Sequence, residues 1–155
     1  SVLIVEDLLK YAENFEKEKN YDIIVIDTAP GAHCDVEKSL STAALTIAVT
    51  EPTPFGLHDL NRIVELLKLN NHEASIILNR SDLSNFRGPL LQKLKKENLH
   101  LLGEIPVDNQ IIENYARGKP FVLDKTNFPG KEAFLKIYQK ILLSLEQSQG
   151  VGNNE

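Results

Sequence analysis

Three shortages narrow the field before any motif is read. The 155-residue sequence has one cysteine, Cys34, so no internal disulfide can form. That fits a reducing cytosol, and a cytoplasmic protein is expected. One cysteine cannot hold an iron–sulfur cluster alone, although it can contribute to one shared between chains. A basic excess is missing: 17 Lys and Arg stand against 22 Asp and Glu, a net charge of -5. No nucleic-acid-binding face is therefore expected. No apolar run approaches the roughly 18 residues of a spanning helix, and no membrane segment is expected. Ser1 to Val5 is too short for a signal-peptide core, and Glu6 and Asp7 follow at once. There is no internal repeat and no low-complexity linker. What remains, 42% hydrophobic and 25% charged residues in one domain's length, suits a globular chain with a single core.

Two periodicities alternate along that chain. Val2, Leu3, Val5, Leu8, Leu9, Ala12 and Phe15 recur at helical spacing, with Ser1 as N-cap. Ile23-Ile24-Val25-Ile26 is short, β-branched and apolar throughout, as a strand buried on both faces is. Leu45–Thr50, Ala74–Leu78 and Leu99–Ile105 read the same way. Between them, Leu57, Leu60, Ile63, Val64 and Leu67 mark one amphipathic helix, and Leu90, Leu91 and Leu94 mark another. Asp108 reads as the N-cap of a helix through Ile111, Ile112 and Tyr115. Lys131–Leu145 forms the last helix, so residues 1–145 are expected as the folded domain and 146–155 as a disordered tail. Strand–helix alternation with buried strands predicts an α/β fold: a parallel sheet with helices on both faces. Such sheets bind ligands beyond the carboxyl ends of their strands. Asp27–Gly31, Glu51–Pro54, Asn79–Asp82 and Pro106–Asp108 all fall at such ends, so they are expected on one rim.

Each motif has a chemical reading beside a purely structural one. Asp27, before Thr28-Ala29-Pro30-Gly31, can hold a water of a magnesium ion, or it can cap a turn. Gly31 lets a backbone N–H approach a phosphate. Asn79 offers the donor and acceptor that suit an adenine edge. Asn79-Arg80-Ser81-Asp82 also matches the guanine-reading Asn-Lys-x-Asp spacing, with Arg80 for lysine, and equally matches a common polar turn. Pro106, Val107 and Asp108 can present backbone groups to a base, or stop a strand and start a helix. His33 and Cys34 read first as a loop histidine and a small half-buried thiol.

The stretches YDIIVIDTAPGAHCDVEKSL, TIAVTEPTPFGLHDLNRIVELLK, IILNRSD and LLGEIPVDNQIIENYARGKP occur in that order. Together they resemble the MinD/ParA branch of deviant-Walker P-loop ATPases, more specifically the prokaryotic MinD superfamily ATPases that carry an inserted ferredoxin domain. The resemblance covers about Ser1 to Leu145. It implies that Asp27 is the Walker B/switch II aspartate and an indirect magnesium ligand. Pro30 and Gly31 would sense the γ-phosphate. Asn79, Arg80 and Asp82 would belong to the base site, with Pro106, Val107 and Asp108 lining it. The complete protein would be a dimeric ATPase using ATP and Mg2+, docking or releasing a partner, by analogy in metal or redox-cofactor delivery.

Two family parts are absent from the chain. There is no Gly-x-x-x-x-Gly-Lys-[Ser/Thr] loop, since Gly118-Lys119 and Gly130-Lys131 lack the strand–loop–helix context. There is no four-cysteine ferredoxin run, so any iron–sulfur cluster would belong to a preceding part. The expected fold is thus a P-loop NTPase-like sheet lacking its N-terminal P-loop strand, inactive as an isolated chain. A non-catalytic interaction module with a degenerate nucleotide site, and a GTP-binding switch, are the alternative readings. In the family fold the missing strand lies between the Asp27 strand and the Leu45 strand. Two unpaired strand edges are unfavourable. Either Ile23–Ile26 pairs directly with Leu45–Thr50, using Val36–Ala44 as crossover, or another chain or the N-terminal half fills the slot.

Overall fold

Apolar strands form where a neighbour accepts their backbone groups, and three of the four runs have one. A computed structural model describes residues 2–19, 21–31 and 34–150. Its elements in chain order are α1 (Val2–Lys19), α2 (Cys34–Leu40), β1 (Ile47–Thr50), α3 (Pro54–Leu69), β2 (Ser75–Asn79), α4 (Arg87–Lys96), β3 (His100–Ile105) and α5 (Asn109–Ala116). A 3-10 turn (Phe121–Leu123) and α6 (Pro129–Gly150) complete them. Among the described residues the sheet has the order β1-β2-β3, and both pairings are parallel. The expected α/β architecture is therefore present.

Alternation along the strands builds two apolar layers. On one face, Ile76 and Leu78 pack with Leu60 and Val64 of α3 and with Leu90 and Leu94 of α4, and Ala48 and Leu101 join them. On the other, Ile77 and Leu102 meet Ile137 of α6, flanked by Ile47, Ile105 and Ile141. Helices thus cover both faces. Each fully buried aliphatic side chain contributes roughly 1.5–3 kcal/mol. The β2–β3 register slips between Ile76 and Ile77, so Ile76 pairs with Leu101 and Ile77 with Gly103. Gly103 sits against Ile137, where a Cβ would lie 2.4 Å from Cγ1.

The helix starts follow local chemistry. Thr53 accepts the Gly56 N–H at 2.9 Å, with Pro54 at the first helical position of α3. Asp108 accepts the Gln110 N–H at 2.9 Å, the cap expected for α5.

The expectation for Ile23–Ile26 fails. The segment forms no ladder with the three-stranded sheet, and its four side chains are 43%, 41%, 86% and 39% exposed. Direct pairing with β1, with 36–44 as crossover, is likewise not formed. An apolar sequence supplies side chains for burial but no backbone partner, and the edge of β1 lies across an open cleft from it. α1 packs on α2, where Lys38 pairs with Glu6 at 3.0 Å. Tyr11, Phe15 and Tyr21 stack in sequence, with centroids 5.8 and 5.9 Å apart. The expected tail from 146 is also corrected: α6 continues to Gly150, because Glu146–Gln149 contains no helix breaker. Residues 151–155, the Ser1 cap and His33 lie outside the described residues, as does the side chain of Cys34. No helix of the described residues is long and apolar enough to cross a membrane.

Candidate nucleotide-binding site

Parallel pairing places the turns after β1, β2 and β3 at one end of the sheet, and side chains tie them together. After β1, Glu51 reaches Arg80 of the next turn, 3.3 Å from carboxylate oxygen to guanidinium nitrogen. Arg80 adopts a positive φ of 48°, a conformation uncommon for non-glycine residues. Pro52 is fully buried, and its carbonyl accepts the Ser84 hydroxyl. After β2, the Ser81 N–H donates to the Ile105 carbonyl at 2.9 Å and so prolongs the β2–β3 pairing beyond Asn79. Val107 N–H donates to Asp82 Oδ1 at 2.6 Å. Asp108 Oδ2 accepts the Gly130 N–H at 2.9 Å, fastening the β3–α5 turn to the start of α6. At the start of α4, Arg87 forks Glu104 at 2.7 and 2.9 Å, and that carboxylate raises the guanidinium above its ordinary pKa.

The fourth expected turn lies on the far side of the cleft. Asp27, Thr28, Pro30 and Gly31 form one wall of an opening of about 560 Å³, and Thr46–Glu51 with Thr53, Phe55 and Gly56 form the other. Asp27 thus shares a cleft with Glu51, at the end of the sheet where Asn79 and Asp108 also lie. Gly31 has φ 98°, a backbone region that glycine enters without strain. Below this opening a second hollow of about 460 Å³ separates Ile23–Ile26 from Leu45–Ile47. The two together run the length of β1's free edge.

The residues expected at the site therefore divide. Glu51, Asn79, Arg80, Asp82 and the 106–108 turn are held in one hydrogen-bonded rim. Asp27, Pro30 and Gly31 face that rim across the cleft. One backbone group expected to face a base is already engaged, because the Val107 N–H binds Asp82 Oδ1, and both Asp108 side-chain oxygens, one of them in the expected helix cap, accept backbone N–H groups. The Glu51–Arg80 and Ser84–Pro52 links were not read from the sequence. The turn residues Glu51–Pro54 marked the end of the strand but not its partners. The Asp27 carboxylate beside an open cleft fits magnesium, which keeps several waters and takes one or two carboxylates besides phosphate oxygens. Among the described residues no group of three or more His, Cys, Asp or Glu could enclose a metal ion. With Cys34 as its one cysteine, the chain alone does not complete an iron–sulfur site.

A parallel sheet sandwiched by helices, with its polar turns gathered at the strands' carboxyl ends, is an α/β architecture that P-loop NTPases share. The ParA family model, described as NUBPL iron-transfer P-loop NTPase, matches residues 4–142, and the chain belongs to that family. Solved structures agree. The MinD cell division protein of Aquifex aeolicus superposes with a TM-score of 0.74 at 24% identity, over 89% of this chain and 60% of that one. The septum site-determining protein MinD of Pyrococcus horikoshii, complexed with Mg-ADP, superposes with a TM-score of 0.68 at 29% identity, over 83% of this chain and 53% of that one. An uncharacterized Methanocaldococcus jannaschii protein is 34% identical over 119 residues, 77% of this chain and 39% of its own length. The chain thus spans about two fifths of that relative and between half and two thirds of the two solved MinD chains.

Proposed function

We propose that the chain is the base-binding and magnesium-side part of an ATP-dependent switch. The observation that carries this reading is the cleft along β1. It has an unpaired strand edge on one side, an exposed apolar segment on the other, and Asp27 facing Glu51 at its mouth. An added parallel strand would pair with β1 and cover Ile23–Ile26. The turn after that strand would emerge beside Asp27 and Gly31, where a phosphate cradle is needed. That strand comes from the remainder of a longer protein or from another polypeptide, a supply in keeping with the greater length of the relatives. Asp27 then holds a magnesium-bound water, Pro30 and Gly31 respond to the γ-phosphate, Asn79 reads the adenine edge, and the 106–108 turn flanks the base. ATP binding across a dimer drives docking or release of a protein partner, with metal delivery in keeping with the family description.

The reading predicts that residues 1–155 alone bind MgATP poorly and show no significant ATPase activity. Removing a single positioned oxyanion donor lowers turnover by about 10²–10³, and here a whole cradle is missing. Calorimetric titration with MgATP tests it: no resolved binding by residues 1–155, and saturable binding by a chain extended upstream. Tight binding by residues 1–155 contradicts the need for a strand. Absence of binding by the extended chain favours the interaction module instead.

A further inference from the structure

The sheet has two outer edges, and they differ. Among the described residues β1 pairs with β2 alone, and no Lys or Arg lines either hollow beside its outer edge. β3 likewise pairs with β2 alone, so its outer edge presents backbone groups to any incoming strand. There the chain departs from regular pairing. Ile76 pairs with Leu101 and Ile77 with Gly103, so Leu102 is the residue passed over. The extra residue of such a bulge has no ladder partner. The Leu102 carbonyl is nonetheless engaged, because the Lys140 ammonium donates to it at 2.6 Å.

Local packing delivers that lysine. The Leu102 side chain is buried against Ile137 of α6, and Gly103 lets the helix approach so closely that a Cβ there would meet Ile137 Cγ1 at 2.4 Å. Lys140 lies three residues beyond Ile137 and so emerges beside it on the helix surface. Its long apolar stem lets the ammonium reach the strand. A strand added at this edge and using the Leu102 carbonyl would displace a charge-assisted hydrogen bond and trap an ammonium at the closing interface.

The strand best placed to attempt this is β1 of a second copy, whose outer edge is unpaired. β1, β2 and β3 all run the same way, so β1 of one copy beside β3 of another would continue one parallel sheet. Such a head-to-tail contact repeats from copy to copy and builds an open filament unless its rotation closes a ring.

We propose that Lys140 closes the outer edge of β3 against β1 of a second copy, so that the sheet accepts a strand at β1 only. This needs β1's unpaired edge and is independent of the nucleotide reading.

Sedimentation velocity at rising protein concentration, with backbone hydrogen exchange, tests it on the 155-residue chain. Wild type is compared with Lys140→Ala, which lacks the donor, and Lys140→Arg, which keeps one. Lys140→Ala should self-associate at about one tenth of the concentration that wild type requires, or below, the scale of one charge-assisted hydrogen bond. Its assemblies should grow past two chains, with exchange slowed at 47–50 and at 101–105 together. Lys140→Arg should behave as wild type. Equal association of Lys140→Ala and wild type overturns the proposal, and so does association of Lys140→Arg to the extent of the alanine variant. Assemblies of Lys140→Ala that leave 101–105 exchanging as in the monomer place the contact elsewhere and also overturn it. Slowing at 101–105 without 47–50, in a species that stops at two chains, overturns the assignment of β1 as the partner. If Lys140→Ala does not fold, Lys140→Gln, whose side chain is one bond shorter, takes its place in the same comparison.

Discussion

Residues 23–26 and 75–79 read almost alike, Ile-Ile-Val-Ile and Ser-Ile-Ile-Leu-Asn, and their fates differ. Ile76 and Leu78 are fully buried and Ile77 nearly so, whereas Val25 is 86% exposed. Hydrophobicity does not distinguish them. β2 has a strand on each side, and the segment 23–26 has an open cleft where its neighbour would lie. The lesson concerns cooperativity. A central strand is buried because its backbone is paired on both edges and helices close over the resulting layer, so removing one neighbour exposes side chains that composition alone would place inside.

The largest expected effect separates these two segments directly. Leu78→Ala, in the layer between α3 and α4, should destabilise the chain by about 2–5 kcal/mol. Val25→Ala should lie within about 0.5 kcal/mol, as at other exposed sites. Urea unfolding of both variants makes the comparison, and a comparable loss for Val25→Ala would break it. A smaller effect probes how tightly the paired region is packed. Gly103→Ala forces a Cβ to within 2.4 Å of Ile137 Cγ1, and overpacking of this kind costs roughly 1–3 kcal/mol. Part of that loss should return in the double variant with Ile137→Val, which thermal melts would show.

The smallest effect is electrostatic and surface-bound. The Thr126 backbone N–H, then the Asn114 amide and the Thr126 hydroxyl, hold Asp124 down to about 2 from an ordinary 3.8. A carboxylate depressed in the folded state favours folding above its unfolded value, and that contribution fades as pH falls through the folded value. Between about pH 4 and about pH 2 the wild type should therefore lose more thermal stability than Asp124→Asn. Parallel melting curves for the two proteins across that window would remove Asp124 as the source.

Much of the paired region was legible because each segment carried its own signal. The apolar spacing of Leu57, Leu60, Val64 and Leu67 announced α3 and the Asp108 cap announced α5, and turn residues closed β1, β2 and β3 within one or two positions. Asn79 and Asp82 were legible as a motif but not in their roles, since a polar turn looks the same whether its aspartate faces a base or a backbone N–H. The Asp82–Val107 hydrogen bond joins residues 25 positions apart in the chain, and no local pattern encodes it. The register slip opposite Gly103 is equally a property of two strands together. Ile23–Ile26 misled for the reason the cleft exposes: the run encodes a buried strand, and its burial requires a neighbour. The continuation of α6 past 146 was missed because polar helix formers were read as a frayed end.

The central claim is that the cleft beside β1 receives a strand, and hydrogen exchange followed by mass spectrometry tests it most directly. In residues 1–155 alone, the amides of 23–26 should exchange near the free-chain rate while those of 76–78 stay protected. In a chain extended upstream and supplied with MgATP, the 23–26 amides and those of 47–50 should become protected toward the level of 76–78. Protection of 23–26 in the short chain, or its absence in the extended chain with MgATP bound, would contradict the account.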